Sequence, residues 1–208
     1  MDIQKKINLF KDQLLLARDP AQFNEICSSF FNYNYTSVEE KLTNSSADPQ
    51  LYLNEQLREE ALNTSWYDYY QLIKYSKNQV LDVGSGYSKG TLLALTLGYK
   101  NFYSVEFVPE RIQWAKIKAQ ELDLDTSFFF SGDALNIDFS KYEIFLVYQP
   151  TGRFLTRFLN SLTQFENKEI WAIESHGDLI HRLDLDSRLI DKSALLELSA
   201  KRHDNTIY

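Results

Sequence analysis

The chain of 208 residues has a single cysteine, Cys27. One thiol excludes an intrachain disulfide and a thiolate metal cluster, and it fits a reducing, cytoplasmic setting. No run of roughly 18 apolar residues is present, so no membrane-spanning helix is expected. The opening stretch MDIQKKINLFKDQ mixes polar and apolar residues and lacks the continuous apolar segment of a secretory signal. A basic excess is missing as well: 22 Lys and Arg stand against 29 Asp and Glu, for a net charge of −7. The charge is spread out, with eight basic and eleven acidic groups in residues 1–79 and fourteen and eighteen in residues 80–208. Neither part is a basic tail, which disfavours a nucleic-acid or anionic-membrane partner. Glycine is scarce: there are seven, and none precedes residue 84.

What is present is apolar and aromatic. Hydrophobic residues make up 44% of the chain and aromatics 14%, enough for a sizeable core. The glycine map divides the chain into a helical extension, residues 1–79, and an α/β domain, residues 80–208. In the extension, Ile3, Ile7, Phe10 and Leu14 recur at helical spacing, and Phe23, Ile26, Cys27, Phe30 and Phe31 form a second stripe. Asp19-Pro20 reads as an N-cap followed by proline at the first helical position. Thr36 or Ser37 is placed to cap a short third helix before Val38-Glu39-Glu40. Asp48-Pro49 opens a helix with Leu53, Leu57 and Ala61 on one face, and Trp66, Tyr69, Tyr70 and Ile73 form a further stripe.

From residue 80 short apolar runs alternate with helical stretches. The runs are Val80–Val83, Phe102–Val105, Ser127–Phe130, Ile144–Tyr148 and Ile170–Ile173, each continuously apolar or aromatic, as strands buried on both faces of a parallel sheet should be. Helices are expected near 89–97, 109–122 and 151–165, with Pro109 and Glu110 suited to a helix start. The alternation predicts a doubly wound, mostly parallel, Rossmann-like sheet with an N-terminal all-helical extension. Thr206–Tyr208 is a candidate terminal strand.

The motif that carries chemistry is Val80-Leu81-Asp82-Val83-Gly84-Ser85-Gly86-Tyr87-Ser88-Lys89-Gly90, a buried strand running into a glycine turn and then a helix. Gly84 allows the tight turn, Gly86 lets a ligand approach the backbone, and the helix presents N–H groups to an anion. Glu106 ends the second strand, where a carboxylate can accept from both hydroxyls of a ribose. Asp133 follows the third strand, where it can accept from an adenine amino group while the Ala134 N–H meets a ring nitrogen.

With these residues in place, the chain resembles the class I S-adenosylmethionine-dependent methyltransferases over residues 64–175. The family's acid-x-Gly-x-Gly corresponds to Asp82, Gly84 and Gly86, its strand-two acid to Glu106, the adenine-packing residue after it to Phe107, and its strand-three Asp to Asp133. Thr64-Ser65-Trp66-Tyr67 is similar to a Thr-Pro-Trp-like element of non-SET protein-lysine methyltransferases and small bacterial relatives, and Val147-Tyr148-Gln149-Pro150 looks like their Tyr-Asn-Pro. The resemblance implies S-adenosylmethionine as cofactor, held by Trp66, Asp82, Gly84, Ser85, Gly86, Ser88, Glu106, Phe107, Asp133, Ala134 and Tyr148. It further implies Tyr148 and Gln149 as residues acting on the acceptor, a protein lysine amine or a small molecule; Glu174, with His176 as the alternative, follows strand five at the carboxyl edge and is the candidate to take its proton. Two departures stand out: Ser88 replaces the family's third glycine, and Tyr142-Glu143-Ile144 replaces the Asp expected at the start of strand four.

Other readings compete. The glycine turn could be a plain βα connection. A nicotinamide domain would want glycine where Lys89 stands. His176 is either a base or a surface residue, and His181, Asp184 and Asp186 form no ligand set for a metal. A non-catalytic binding module on the same fold is the functional alternative, with the helical extension as its docking surface.

Overall fold

The computed structural model describes residues 2–44, 64–148, 152–174 and 206–207. The helices are α1 (Ile3–Leu15), α2 (Pro20–Phe30), α3 (Thr36–Asn44), α4 (Trp66–Tyr75), α5 (Lys89–Leu97), α6 (Pro109–Glu121) and α7 (Gly152–Leu162). The strands are β1 (Val80–Val83), β2 (Phe102–Glu106), β3 (Phe129–Ser131), β4 (Ile144–Tyr148), β5 (Glu169–Glu174) and β6 (Thr206–Ile207). The fourth helix expected from Asp48-Pro49, and the segment holding His176, His181, Asp184 and Asp186, lie outside the described residues.

The six strands form one sheet in the order β3-β2-β1-β4-β5-β6. The first five are parallel, and β6 runs antiparallel to β5, with Ile207 opposite Ile173. The chain winds outward from β1 to β3 and then returns to place β4 against the other side of β1. Such a reversal opens a crevice at the carboxyl ends of β1 and β4, where doubly wound folds take their ligands.

Strand alternation sorts the core into two layers. Val80, Phe102, Ile144, Leu146 and Trp171 face one side, with α1, α2, α4, α5 and α6 packed over them. Leu81, Val83, Val105, Phe145, Val147 and Ala172 face the other, covered by Leu155, Phe158 and Leu159 of α7 together with Phe139 and Tyr142. The extension shares the first layer: Phe10, Leu14, Phe23, Cys27 and Phe31 belong to the same apolar cluster as Trp66, Tyr69 and Leu92. Ring stacking fixes part of this contact, with Phe31 on Trp66 at 4.8 Å and Phe10 on Phe30 at 3.9 Å between centroids.

Local signals set the element ends. Asp2 and Asp19 cap α1 and α2, accepting from the N–H groups of Gln4 and Gln22, and Pro20 occupies the first turn of α2. α3 begins at Thr36 itself, one residue earlier than a Thr36 cap would start it, because the carbonyl of Tyr35 accepts from the N–H groups of Val38 and Glu39. Gly98 ends α5 in the left-handed conformation, as a C-terminal glycine should. The third strand is displaced from its expected span. Asp125 accepts from the Ser127 N–H at 2.8 Å and sets a 3₁₀ turn at Thr126–Phe128, so pairing starts only at Phe129. No described helix is long and apolar enough to cross a membrane.

Candidate functional site

The crevice is lined by the glycine turn (Gly84, Ser85, Gly86, Tyr87), Lys89 and Tyr148, and by Tyr33, Thr64 and Tyr69 from the N-terminal part. The turn takes φ +72° at Gly84 and +55° at Gly86, both in the left-handed region. It is pinned to the neighbouring strand, since the N–H groups of Gly84 and Ser85 both donate to the Val105 carbonyl, at 2.9 and 3.1 Å. Ser88 also lies in the left-handed region, with φ 54° and ψ 39°, and its hydroxyl is 3.0 Å from that of Ser85.

Glu106, at the end of β2, is built into this turn. Its carboxylate accepts from the Gly86 N–H at 2.9 Å and from the Val108 N–H at 3.0 Å. Burial pushes its carboxyl up from the usual range, opposed by the Arg111 guanidinium and the two backbone donors. Arg111, in the first turn of α6, reaches Glu106 at 3.7 Å and pairs through two nitrogens with Glu39 of α3, at 2.9 and 3.1 Å. Tyr87 donates to the same Glu39 at 2.6 Å. A charged chain thus runs from α3 through Arg111 to the acid beside the glycine turn.

The other expected site residues are placed as follows. Asp82 is fully buried at the end of β1, with one carboxylate oxygen unpaired. Burial raises its carboxyl to about 8, against a hydrogen bond from Tyr69 that favours the charged form, while the nearby Glu106 adds to the rise. Asp133 follows β3, and its carboxylate accepts from the Leu135 N–H at 2.9 Å; Ala134 beside it is buried. Phe107 leaves the end of β2 with 53% of its surface exposed, on the same rim. Tyr148 lines the cleft from the end of β4. Glu174 ends β5 at the same carboxyl edge, and Gln149 lies outside the described residues. Trp66 departs from expectation. Its indole is buried between helices, stacked on Phe31 and donating to Ser28 at 3.1 Å, and it does not line the cleft. Apolar packing of the extension claims the ring. Glu143 lies at the opposite edge of the sheet, where it accepts from the Gln79 N–H at 2.8 Å, so an acid before β4 ties down the amino ends of the strands.

Tyr33, Thr64, Tyr69 and Lys89 were not singled out from the sequence as cleft residues, nor were Glu39 and Arg111 as supports. Only Lys89 carried a signal: it is the sole charged residue of α5, KGTLLALTL, and it stands at the helix end where a cation is disfavoured. The remaining partners come together across gaps too long for spacing to reveal.

No family model and no curated protein matches the sequence. Solved structures do. The tRNA methyltransferase TrmK of Bacillus subtilis, described as acting at M1A22, superposes with a TM-score of 0.51 at 15% identity, over 67% of this chain and 62% of that one. An RNA methyltransferase of Salinibacter ruber, solved with S-adenosyl-L-homocysteine, gives 0.47 at 14% identity, over 69% and 86%. A tRNA (uracil-54, C5)-methyltransferase of Pyrococcus abyssi gives 0.48 at 14% identity, over 58% of this chain but only 32% of its own length. At 15% identity the likeness to the Bacillus subtilis structure concerns the fold alone. The chain shares its doubly wound α/β fold with that Bacillus subtilis structure.

Proposed function

We propose that the chain is an S-adenosylmethionine-dependent methyltransferase. One observation carries this reading: Glu106 at the end of β2 is hydrogen-bonded to Gly86 of the turn after β1, at the switch point of the sheet. A glycine turn joined to a strand-two acid suits a nucleoside next to an amino-acid tail. The donor set fits that ligand. A carboxylate has about four acceptor positions, so Glu106 can take two ribose hydroxyls beside its two backbone donors. Asp133 and the Ala134 N–H would meet the adenine edge, Phe107 its face, and the turn of Gly84, Ser85, Gly86 and Ser88 the amino-acid end, beside Asp82.

S-adenosylmethionine supplies an activated methyl group when bound. The chain's part is to align an acceptor and exclude water, and alignment for an in-line displacement is worth up to roughly 7–11 kcal/mol. Tyr148 and Gln149, which follows it in the sequence, would orient the acceptor, and Glu174 or His176 would take its proton. A lysine amine would need such help, since deprotonating it near pH 7 costs about 4–5 kcal/mol. The N-terminal helices, which supply Tyr33, wall this side of the cleft and would select the acceptor. A protein lysine amine or a small molecule suits the −7 charge better than a nucleic acid, and a single buried thiol suits the cytoplasm.

Two experiments test the reading. S-adenosylhomocysteine should raise the melting temperature while NADH does not, and Glu106→Ala should abolish that rise. Incubation with labelled S-adenosylmethionine and cell lysate should transfer label; binding without transfer to any fraction would favour a non-catalytic module.

A further inference from the structure

Lys89 is an unusual residue to find buried. It is 6% exposed, at the first position of α5, and it lines the cleft beside Gly84, Ser85 and Gly86. Its amine donates to the Thr64 carbonyl at 3.0 Å and lies 4.4 Å from the ring centre of Tyr33 and 5.4 Å from that of Trp66. Among the described residues, no carboxylate stands within ion-pair distance of it. Among the described residues, the titratable groups facing it are neutral. Cys27 of α2 has its thiol pushed up by burial, and the phenols of Tyr33, after α2, and Tyr69, of α4, are held well above their ordinary value by burial. The nearby acids are engaged elsewhere: Glu39 with Arg111 and Tyr87, and Asp82 with Tyr69.

An ammonium has three donors, and one carbonyl with two aromatic faces satisfies it only in part. Burying such a cation without a counter-charge is costly, and the helix dipole adds to the cost. The arrangement is therefore incomplete until an anion enters the cleft. We infer that Lys89 is the counter-ion for the carboxylate at the amino-acid end of the ligand, and that its amine takes up a proton from solvent as that carboxylate binds. This rests on the reading of the cleft as an S-adenosylmethionine site, and it names the residue that would read the methionine end.

The sign of the pH effect follows. Burial lowers the Lys89 amine to about 7. A carboxylate beside it would hold the proton, so binding is tightest below about pH 7 and weakens as pH rises. If the bound amine stays protonated throughout, the affinity for S-adenosylhomocysteine falls about 15-fold between about pH 7 and 8.5.

The test is titration calorimetry with S-adenosylhomocysteine in phosphate and in Tris at about pH 8, on the wild type, Lys89→Met and Lys89→Arg. The wild type should take up about 0.9 proton more than either variant. Lys89→Met should bind about tenfold more weakly or worse near pH 7. Lys89→Arg, permanently charged, should bind without this uptake and with a smaller fall in affinity than the wild type between about pH 7 and 8.5, and it carries the test if the Met variant does not fold. Methylthioadenosine, which lacks the carboxylate, should bind the wild type and Lys89→Met alike. Equal affinity and equal proton uptake for S-adenosylhomocysteine across the three proteins would overturn the role of Lys89 while leaving the cofactor site standing. Failure of both ligands to bind the wild type would instead overturn the reading of the cleft. A methyl group found on Lys89 by mass spectrometry after incubation with S-adenosylmethionine would also overturn the inference, because it would make the amine an acceptor.

Discussion

Ser88 occupies a left-handed backbone position (φ 54°) where glycine fits without steric cost. A side chain there costs roughly 1 kcal/mol, and the contact with the Ser85 hydroxyl returns part of it. Ser88→Gly should therefore leave the protein equally stable or stabilise it by up to about 1 kcal/mol in urea denaturation; a clear loss would show that the hydroxyl contact outweighs the strain. Gly90 is the opposite case. The sequence places it with the turn glycines, but in the structure it is already helical, and its missing side chain makes room for a neighbour. A Cβ there would stand 2.6 Å from Cδ1 of Tyr69 and 2.9 Å from Cε1 of Phe102. Both rings are buried, so Gly90→Ala should destabilise the fold by about 1–3 kcal/mol, measured by the same denaturation. The turn glycines were legible because local geometry demands them. The reason for Gly90 was not, because Tyr69 approaches from a distant helix.

At the scale of elements, α3 is tied to the glycine turn and α6 through Glu39. Removing this carboxylate leaves Arg111 with only the longer contact to Glu106 and leaves Tyr87 without its acceptor. Glu39→Ala should destabilise by about 3 kcal/mol in chemical denaturation, and Glu39→Gln, which keeps an acceptor oxygen, should lose less. β1 and β4 have the ends that their runs predict, because each is buried on both faces, Asp82 included, and the glycine turn follows β1 directly. β3 does not, because the Asp125 cap diverts Ser127 and Phe128 into a turn ahead of the pairing. Trp66 shows a further limit. Its place in a motif suggested a role at the ligand, yet Phe31 and Ser28, separated from it by the Asp48-Pro49 segment, draw it into the core.

For the molecule as a whole, Asp82 and Lys89 make stability depend on pH in opposite senses. Asp82 has its folded value raised to about 8. Its contribution is complete below the unfolded value near 4, is lost as pH rises toward 8, and changes no further above that. Lys89 is lowered to about 7, so its penalty eases as pH rises from about 7 toward 10. Asp82→Asn should remove the fall between about pH 4 and 8 and raise the melting temperature at about pH 8, as a pH series of thermal melts would show. The doubly wound architecture and the line of Gly84, Glu106 and Asp133 along one sheet edge were legible, because strand ends and turns are local. The inner wall of Tyr33, Tyr69 and Lys89 was not, because it forms only when the helical extension joins the same core. The central claim is that this cleft binds the S-adenosyl cofactor. Isothermal titration with S-adenosylhomocysteine tests it most directly: one saturable site per chain, lost in Glu106→Ala, is the expected result, and no binding, or equal binding to the Glu106→Ala variant, would contradict it.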